Sequence, residues 1–436
     1  ALDFFGTILP MMYRKKPFFK RPFGRALLIL AGLAVLGLLL YQVPYFKERL
    51  SWRLEYAGVY ARSILDPAGN LPTPKPTAEP TAQASAAPTT TPQAQPTAAP
   101  TEAPTPAPTA APTATPLPLP EQVILPSPRH EMEDLNACGP ATLSMALNFW
   151  GWEGDQFTIS KEIKPIRADR NVNVEELKYY VDTYVPGMYA EFRVGGDLEL
   201  LRRFLADGMP VMIEESFMLD KNFRVGDDRW AAHYVLLTGY DHKARQFILQ
   251  DSERGPNRYV AYETLEKDWQ SFNHVYILIY PEDKQNNVLN LLGPQIDYDY
   301  NRQYALDQAR AMTVSDPTNA YAWFNLGTNL MYFGSYEDSA AAYDRARELG
   351  LPQRMLRYQF GPFITYWNLG RIDDLSALAD YALEITENSE EALLWKGWAL
   401  YRQGKRQEAI DSFQAALDAH PNYGDAQYAI NYVYNN

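Results

Sequence analysis

The pattern of apolar and polar positions divides the chain into segments of different character. Ala26 to Val43 is uncharged and almost wholly apolar over 18 residues, which predicts a membrane-spanning helix near the lower length limit. Leu50, Leu54, Val59 and Leu65, with Trp52, Tyr56 and Tyr60 between them, predict an amphipathic juxtamembrane helix within residues 44–70. Residues 71–120 show no apolar period at all. Periodicity returns at Leu143, Leu147 and Trp150, the i, i+4 and i+7 positions of a helix that starts at or just after Cys138, with Pro140 in its first turn and Gly151 as its stop. Further helices are predicted near Val174 to Tyr184 and Leu198 to Ala206. The period then shortens to that of strands at Pro210 to Glu214, His233 to Gly239, Gln246 to Gln250 and Val275 to Tyr280. Helices followed by an antiparallel sheet give residues 121–285 an α+β order. Residues 286–436 are helical throughout.

Composition changes this picture in two places. Leu71 to Pro120 is Pro, Thr and Ala in near-alternation, so it cannot bury a core and reads as a disordered stalk that would reach about 150 Å in a polyproline II conformation. Residues 1–25 hold six Lys/Arg between Arg14 and Arg25 and no acid there, whereas the chain as a whole stands at −13. The basic patch therefore predicts a cytoplasmic N-terminus, a single-pass cell-membrane protein and extracytoplasmic C-terminal domains. The remaining −19 makes nucleic acid an improbable partner.

The only cysteine, Cys138, excludes an internal disulfide and lies where free helix amides favour a thiolate. A cysteine nucleophile needs a base, and that base an orienting group. Of five histidines, His233 opens a strand whose hairpin partner ends at Asp251. A turn centred near His242 places position 233 opposite 251, with Asp251 holding one imidazole nitrogen while the other faces the thiol. No metal site is expected, since the histidines lack ligand spacing and one cysteine cannot build a thiolate cage, and no cofactor is implied.

The blocks CGPATLSMAL, AAHYVLLTGYD and ILQDS resemble the papain-like cysteine peptidases of the bacteriocin-processing, double-glycine-leader type, from about Leu125 to Pro281. The resemblance implies Cys138 as nucleophile, His233 as general base, Asp251 as orienting acid, and a peptide or protein substrate. In that family a glutamine shortly before the cysteine supplies an oxyanion-hole amide. Here Glu133 holds the place, with no glutamine between Val123 and Cys138, which leaves Glu133 and Asn136 as oxyanion-hole candidates. An ionised Glu133 gives the alternative reading, a catalytically impaired peptide-binding module or surface scaffold. No Gly-rich nucleotide motif marks a transporter, so the substrate of the leader-processing members does not transfer.

Trp323, Leu326, Gly327, Tyr343 and Ala346 keep the offsets of a tetratricopeptide motif, which return 70 positions later at Gly397, Leu400, Ala409, Phe413, Ala416 and Pro421. Gly361, Gly370, Ala379 and Ala382 mark a poorer middle copy, and Asp425 to Tyr434 a closing helix. About three repeats are expected, forming a self-contained module whose groove binds a protein partner; a rigid cap docked on the preceding domain is the other reading.

Overall fold

The computed structural model describes residues 118–164, 172–219, 229–386 and 388–435, together with Gly32 and Gly37. The expected spanning helix, juxtamembrane helix and Pro/Thr/Ala stalk fall outside the described residues. Among those described, no helix is long and apolar enough to cross a membrane.

One sheet organises the first part of the chain. Its strands are β1 (Gln122–Ile124), β2 (Met188–Arg193), β3 (Val211–Met218), β4 (Trp230–Asp241), β5 (Gln246–Asp251), β6 (Gly255–Ala261) and β7 (Tyr276–Pro281). They run antiparallel in the order β2-β7-β3-β4-β5-β6, with β1 pairing the far end of β4. The period-2 alternation of β3, β4 and β7 sends their side chains to two separate cores. On one face Met212, Leu236, Ile277 and Ile279 pack against helices α1 (Cys138–Phe149), α2 (Gln156–Ile163) and α3 (Val174–Tyr184) through Leu143, Leu147, Ile159, Leu177 and Val181. On the other, Ile213, Val235, Leu237 and Leu278 meet α4 (Leu198–Ala206), α5 (Tyr262–Trp269) and α6 (Gln285–Leu292) through Leu201, Phe204, Leu265, Trp269 and Val288.

The three helices and four strands predicted within residues 121–285 are present, but three strands escaped the pattern. The central strands β3, β4 and β7 are buried at most positions, whereas β1 and β6 lie at the margin of the sheet with every position at least partly exposed, so neither carries a clean apolar alternation. β2 splits the helices from one another, so the order is not helices first and sheet after.

From α7 (Tyr298–Ser315) onward the chain forms antiparallel helices: α8 (Ala320–Tyr332), α9 (Tyr336–Leu349), α10 (Gly361–Asn368), α11 (Ile372–Ile385), α12 (Glu390–Arg402), α13 (Arg406–Ala419) and α14 (Gly424–Asn435). The motif glycines are there for packing. A Cβ on Gly327 would stand 2.9 Å from the Tyr343 ring, and one on Gly397 would stand 2.3 Å from the Phe413 ring. The middle pair is irregular because its first helix is only eight residues long and follows a short 3-10 turn, Gln353–Arg357.

The first helices of this array dock on the sheet domain. Asn301 clamps the Val194 backbone, donating from Nδ2 to the carbonyl at 2.8 Å and accepting from the amide at 3.1 Å. Asn273 and Asn329 donate to each other at 2.9 and 3.2 Å. Val194, Trp230, Phe272 and Val275 share one buried cluster with Ala305, Phe324, Tyr343 and Met355, and Trp230 stacks on Phe272. The helical tail is thus continuous with the domain it caps rather than free-standing.

Candidate active site

The site is assembled where α1 begins. Asp134 O accepts the Ala137 amide at 3.1 Å, and Asn136 adopts a left-handed conformation (φ 51°), which turns the chain sharply into the helix at Cys138. No side chain caps this helix, so its first amides are left without an intrahelical acceptor beside the thiol. Gly139 packs against the Tyr234 ring, and Thr142 Oγ1 donates to the Tyr234 carbonyl at 3.0 Å. These contacts fix the start of the helix over β4, the strand that carries His233.

His233 is 1% exposed and lies between two groups. Its Nε2 is 2.9 Å from Asp251 Oδ1, and a ring nitrogen, the Cys138 sulfur and a Glu133 carboxylate oxygen lie within 4.8 Å of one another. Burial opposes the imidazolium, but the bonds to Asp251 and Cys138 and the charge of Glu133 outweigh it, so the His233 pKa lies well above the ordinary value. Burial also opposes the Asp251 carboxylate, yet His233 and the amides of Arg254 and Glu253, each 2.9 Å from Oδ1, hold its pKa below the usual range. Phe217 lies against the imidazole at 4.8 Å between ring centroids.

The expected register needs correcting. Asp251 pairs with Val235, not with His233. The hairpin closes from Asp241 to Gln246, one and a half positions later than a turn centred on His242, and a bulge between Leu237 and Gly239 takes one residue back. The net slip is two residues. An even slip preserves the face, so Asp251 reaches His233 diagonally.

Glu133 belongs to the same cluster. Its amide donates to the Ser252 carbonyl at 3.0 Å, Ser252 Oγ donates to Oε2 at 2.7 Å, and Oε2 lies 3.7 Å from His233 Nδ1. One donor atom each from Glu133, Cys138 and His233 falls within 4.8 Å of the others. Burial raises the Glu133 pKa despite the opposing effects of His233 and Ser252. Asn136, the other oxyanion candidate, occupies the turn before the cysteine and is not part of this trio.

Some residues that build the site gave no signal in the sequence. Buried Gln156 pins the loop before the cysteine: its Oε1 accepts the Asp134 amide at 2.7 Å and its Nε2 donates to the Met132 carbonyl at 2.7 Å. Glu131 accepts from Gln156 and from Ser144 Oγ. His130 donates to the Asp251 carbonyl at 2.9 Å. No sequence spacing joins positions 131 and 156, because the link runs through the folded start of α2.

Glu215 lies opposite His233 on β3, and burial pushes its pKa up to about 8, as it does for Glu214 next to it. Near pH 7 Glu215 is therefore mostly neutral and adds little negative charge beside the imidazole. The folded protein holds these protons where the unfolded chain releases them, so the associated stability is complete below about pH 4.5 and lost as pH rises through about 8. Urea unfolding of Glu215→Gln should therefore show a flatter decline between pH 5 and pH 8 than the wild type; parallel curves would show that Glu215 ionises freely.

Residues 120–277 match the model of the Peptidase_C39 like family, and residues 390–423 match that of the tetratricopeptide repeat. No curated protein matches the chain. Among solved structures, a C39-like peptidase from Bacillus anthracis is similar at 19% identity, covering 37% of this chain and 98% of its own, with a TM-score of 0.29. A double glycine motif protease from an AMS/PCAT transporter, in complex with the leader peptide, is similar at 17% identity over 36% of this chain and 94% of its own, TM-score 0.27. YrrB, a TPR protein with an unusual peptide-binding site, is similar at 21% identity over 34% of this chain and 74% of its own, TM-score 0.28. The chain carries an α+β C39-like peptidase domain followed by a helical tetratricopeptide region.

Proposed function

We propose that this C39-like domain is an active cysteine peptidase, held outside the cell by a single membrane helix at residues 26–43, and that its repeats bind a protein partner. The observation that carries the reading is His233, buried between the Asp251 carboxylate at 2.9 Å and Cys138 at the uncapped start of α1. In this reading the Cys138 thiolate attacks the scissile carbonyl carbon, and the His233 imidazolium gives its proton to the departing amine. The same imidazole then takes a proton from the water that releases the acyl group. The Cys138 amide, free of any intrahelical bond, donates to the oxyanion. Asp251 keeps the ring oriented through Nε2, so that Nδ1 faces the sulfur.

The partner surface lies at the end of the repeats. Trp367, Trp395, Trp398, Tyr401, Tyr428 and Tyr432 line a cavity of about 410 Å³, with the Arg402 guanidinium over the Trp367 ring at 4.7 Å. Aromatic walls with a few polar groups suit an extended peptide. A second reading, a peptide binder that does not cleave, is favoured by one residue: Glu133, where the family places a glutamine.

A membrane-impermeant peptidyl reagent directed at thiols tests the reading, because Cys138 is the sole cysteine of the chain. Intact cells should be labelled on this protein, with the label lost in His233→Ala. Labelling only after lysis would overturn the outward placement, and no labelling in either preparation would overturn the peptidase.

A further inference from the structure

We propose that Glu133, Cys138 and His233 form a binding site for one zinc ion that masks the nucleophile, making the site switchable by zinc. Thiolate, imidazole and carboxylate are the donors that zinc accepts, and three protein ligands with a fourth position open to water is a common arrangement for the ion. Tetrahedral zinc with bonds of about 2.0–2.3 Å holds its ligand atoms roughly 3.3–3.8 Å apart. Glu133 Oε2 and His233 Nδ1 are already 3.7 Å apart, and all three donor atoms lie within 4.8 Å of one another. Closing on an ion therefore requires side-chain shifts of about an ångström and no movement of the fold.

The groups behind the donors support the same assignment. Zinc-bound imidazoles characteristically rest their second nitrogen on a carboxylate, and His233 Nε2 rests on Asp251 at 2.9 Å. Ligating carboxylates are themselves hydrogen-bonded, as Glu133 Oε2 is by Ser252 Oγ at 2.7 Å. Phe217 and the mostly buried setting of Glu133, 17% exposed, limit competition from water. A glutamine at position 133 would be a poor third ligand. On binding, the protons held by the Cys138–His233 pair beyond one thiolate and one neutral imidazole, and any proton on Glu133, pass to solvent, so affinity rises with pH.

The site itself does not depend on whether the chain cleaves peptides; only the inhibitory consequence rests on the proposed peptidase. The full chain, titrated with Zn²⁺ against a chromophoric chelator, should take up one tight ion that protects Cys138 from iodoacetamide until the chelator is in excess. Affinity should fall at least about 100-fold in Cys138→Ser, and about 10–100-fold in Glu133→Gln and in Ser252→Ala. Absence of a tight ion in the wild type would overturn the proposal. So would undiminished zinc affinity in Glu133→Gln, which is close in shape to the native side chain. Both results are read without substrate, so a wild type that binds zinc as described yet hydrolyses no peptide would count against the peptidase alone.

Discussion

Alanine at His233 should lower kcat for peptide hydrolysis by on the order of 10⁴–10⁶, with Cys138→Ala equally severe and the double variant no worse than either. In the proposed mechanism the two side chains act as one unit. Without His233 the nucleophile loses its base and the leaving amine its proton donor. Asp251 should behave differently. Its Oδ1 accepts from His233 and from two backbone amides at 2.9 Å, and an asparagine oxygen can take the same three bonds without moving. In the proposed mechanism what His233 needs from Asp251 is orientation more than the full carboxylate charge. Asp251→Asn should therefore retain more activity than Asp251→Ala. Steady-state rates on a fluorogenic peptide library check this. An Asn variant as damaged as the Ala variant would mean that the carboxylate charge, not the geometry, is what His233 requires.

How much of this was legible in the sequence follows from the range over which each feature is encoded. The α1 helix and its apolar stripe are local, as are the repeat glycines, and each is readable within a dozen residues. The His233 to Asp251 contact was readable in kind but not in register, because the bulge between Leu237 and Gly239 lies where β4 also pairs β1, whose Val123 carbonyl leaves no room for a Cβ on Gly239, and no local spacing announces it. That contact survived a slip of two only because strands repeat every two residues. Gln156, Ser252 and Phe217 reach the site through tertiary contacts with no spacing rule to reveal them. The three donors proposed for zinc come from a loop, a helix start and a strand separated by 95 positions between Cys138 and His233, which is why counting histidine spacings pointed to no metal. The docking of α7 and α8 was equally hidden: Asn301, Asn325 and Asn329 look like ordinary polar helix positions until the partners at Val194, Gln270 and Asn273 are brought beside them.

Glu133→Gln should speed hydrolysis, with an advantage that grows as pH rises. The carboxyl is held beside Cys138 and His233 by its own amide and by Ser252, and in the proposed reading it takes the place of the glutamine that donates to the oxyanion in the family the sequence resembles. As a neutral acid it has a proton to offer; as a carboxylate it repels the developing charge. Burial raises its pKa above the ordinary carboxyl range, so the donor form persists to higher pH than in an exposed glutamate and is lost as pH passes through that raised value. Wild-type activity should accordingly fall on the alkaline side while the glutamine variant, which has nothing to ionise there, holds its rate. Removing one oxyanion donor in other enzymes costs on the order of 10²–10³ in kcat, which bounds the gain from restoring it at high pH. Below that raised value the two proteins should converge. The comparison is a pair of kcat profiles between pH 5 and pH 9 at zero free zinc, so that relief of metal binding is not mistaken for the effect. Profiles that run parallel across the range would remove Glu133 from the oxyanion hole, and activity that appears only in the glutamine variant would make the natural chain a peptide binder whose catalysis is blocked by one carboxylate.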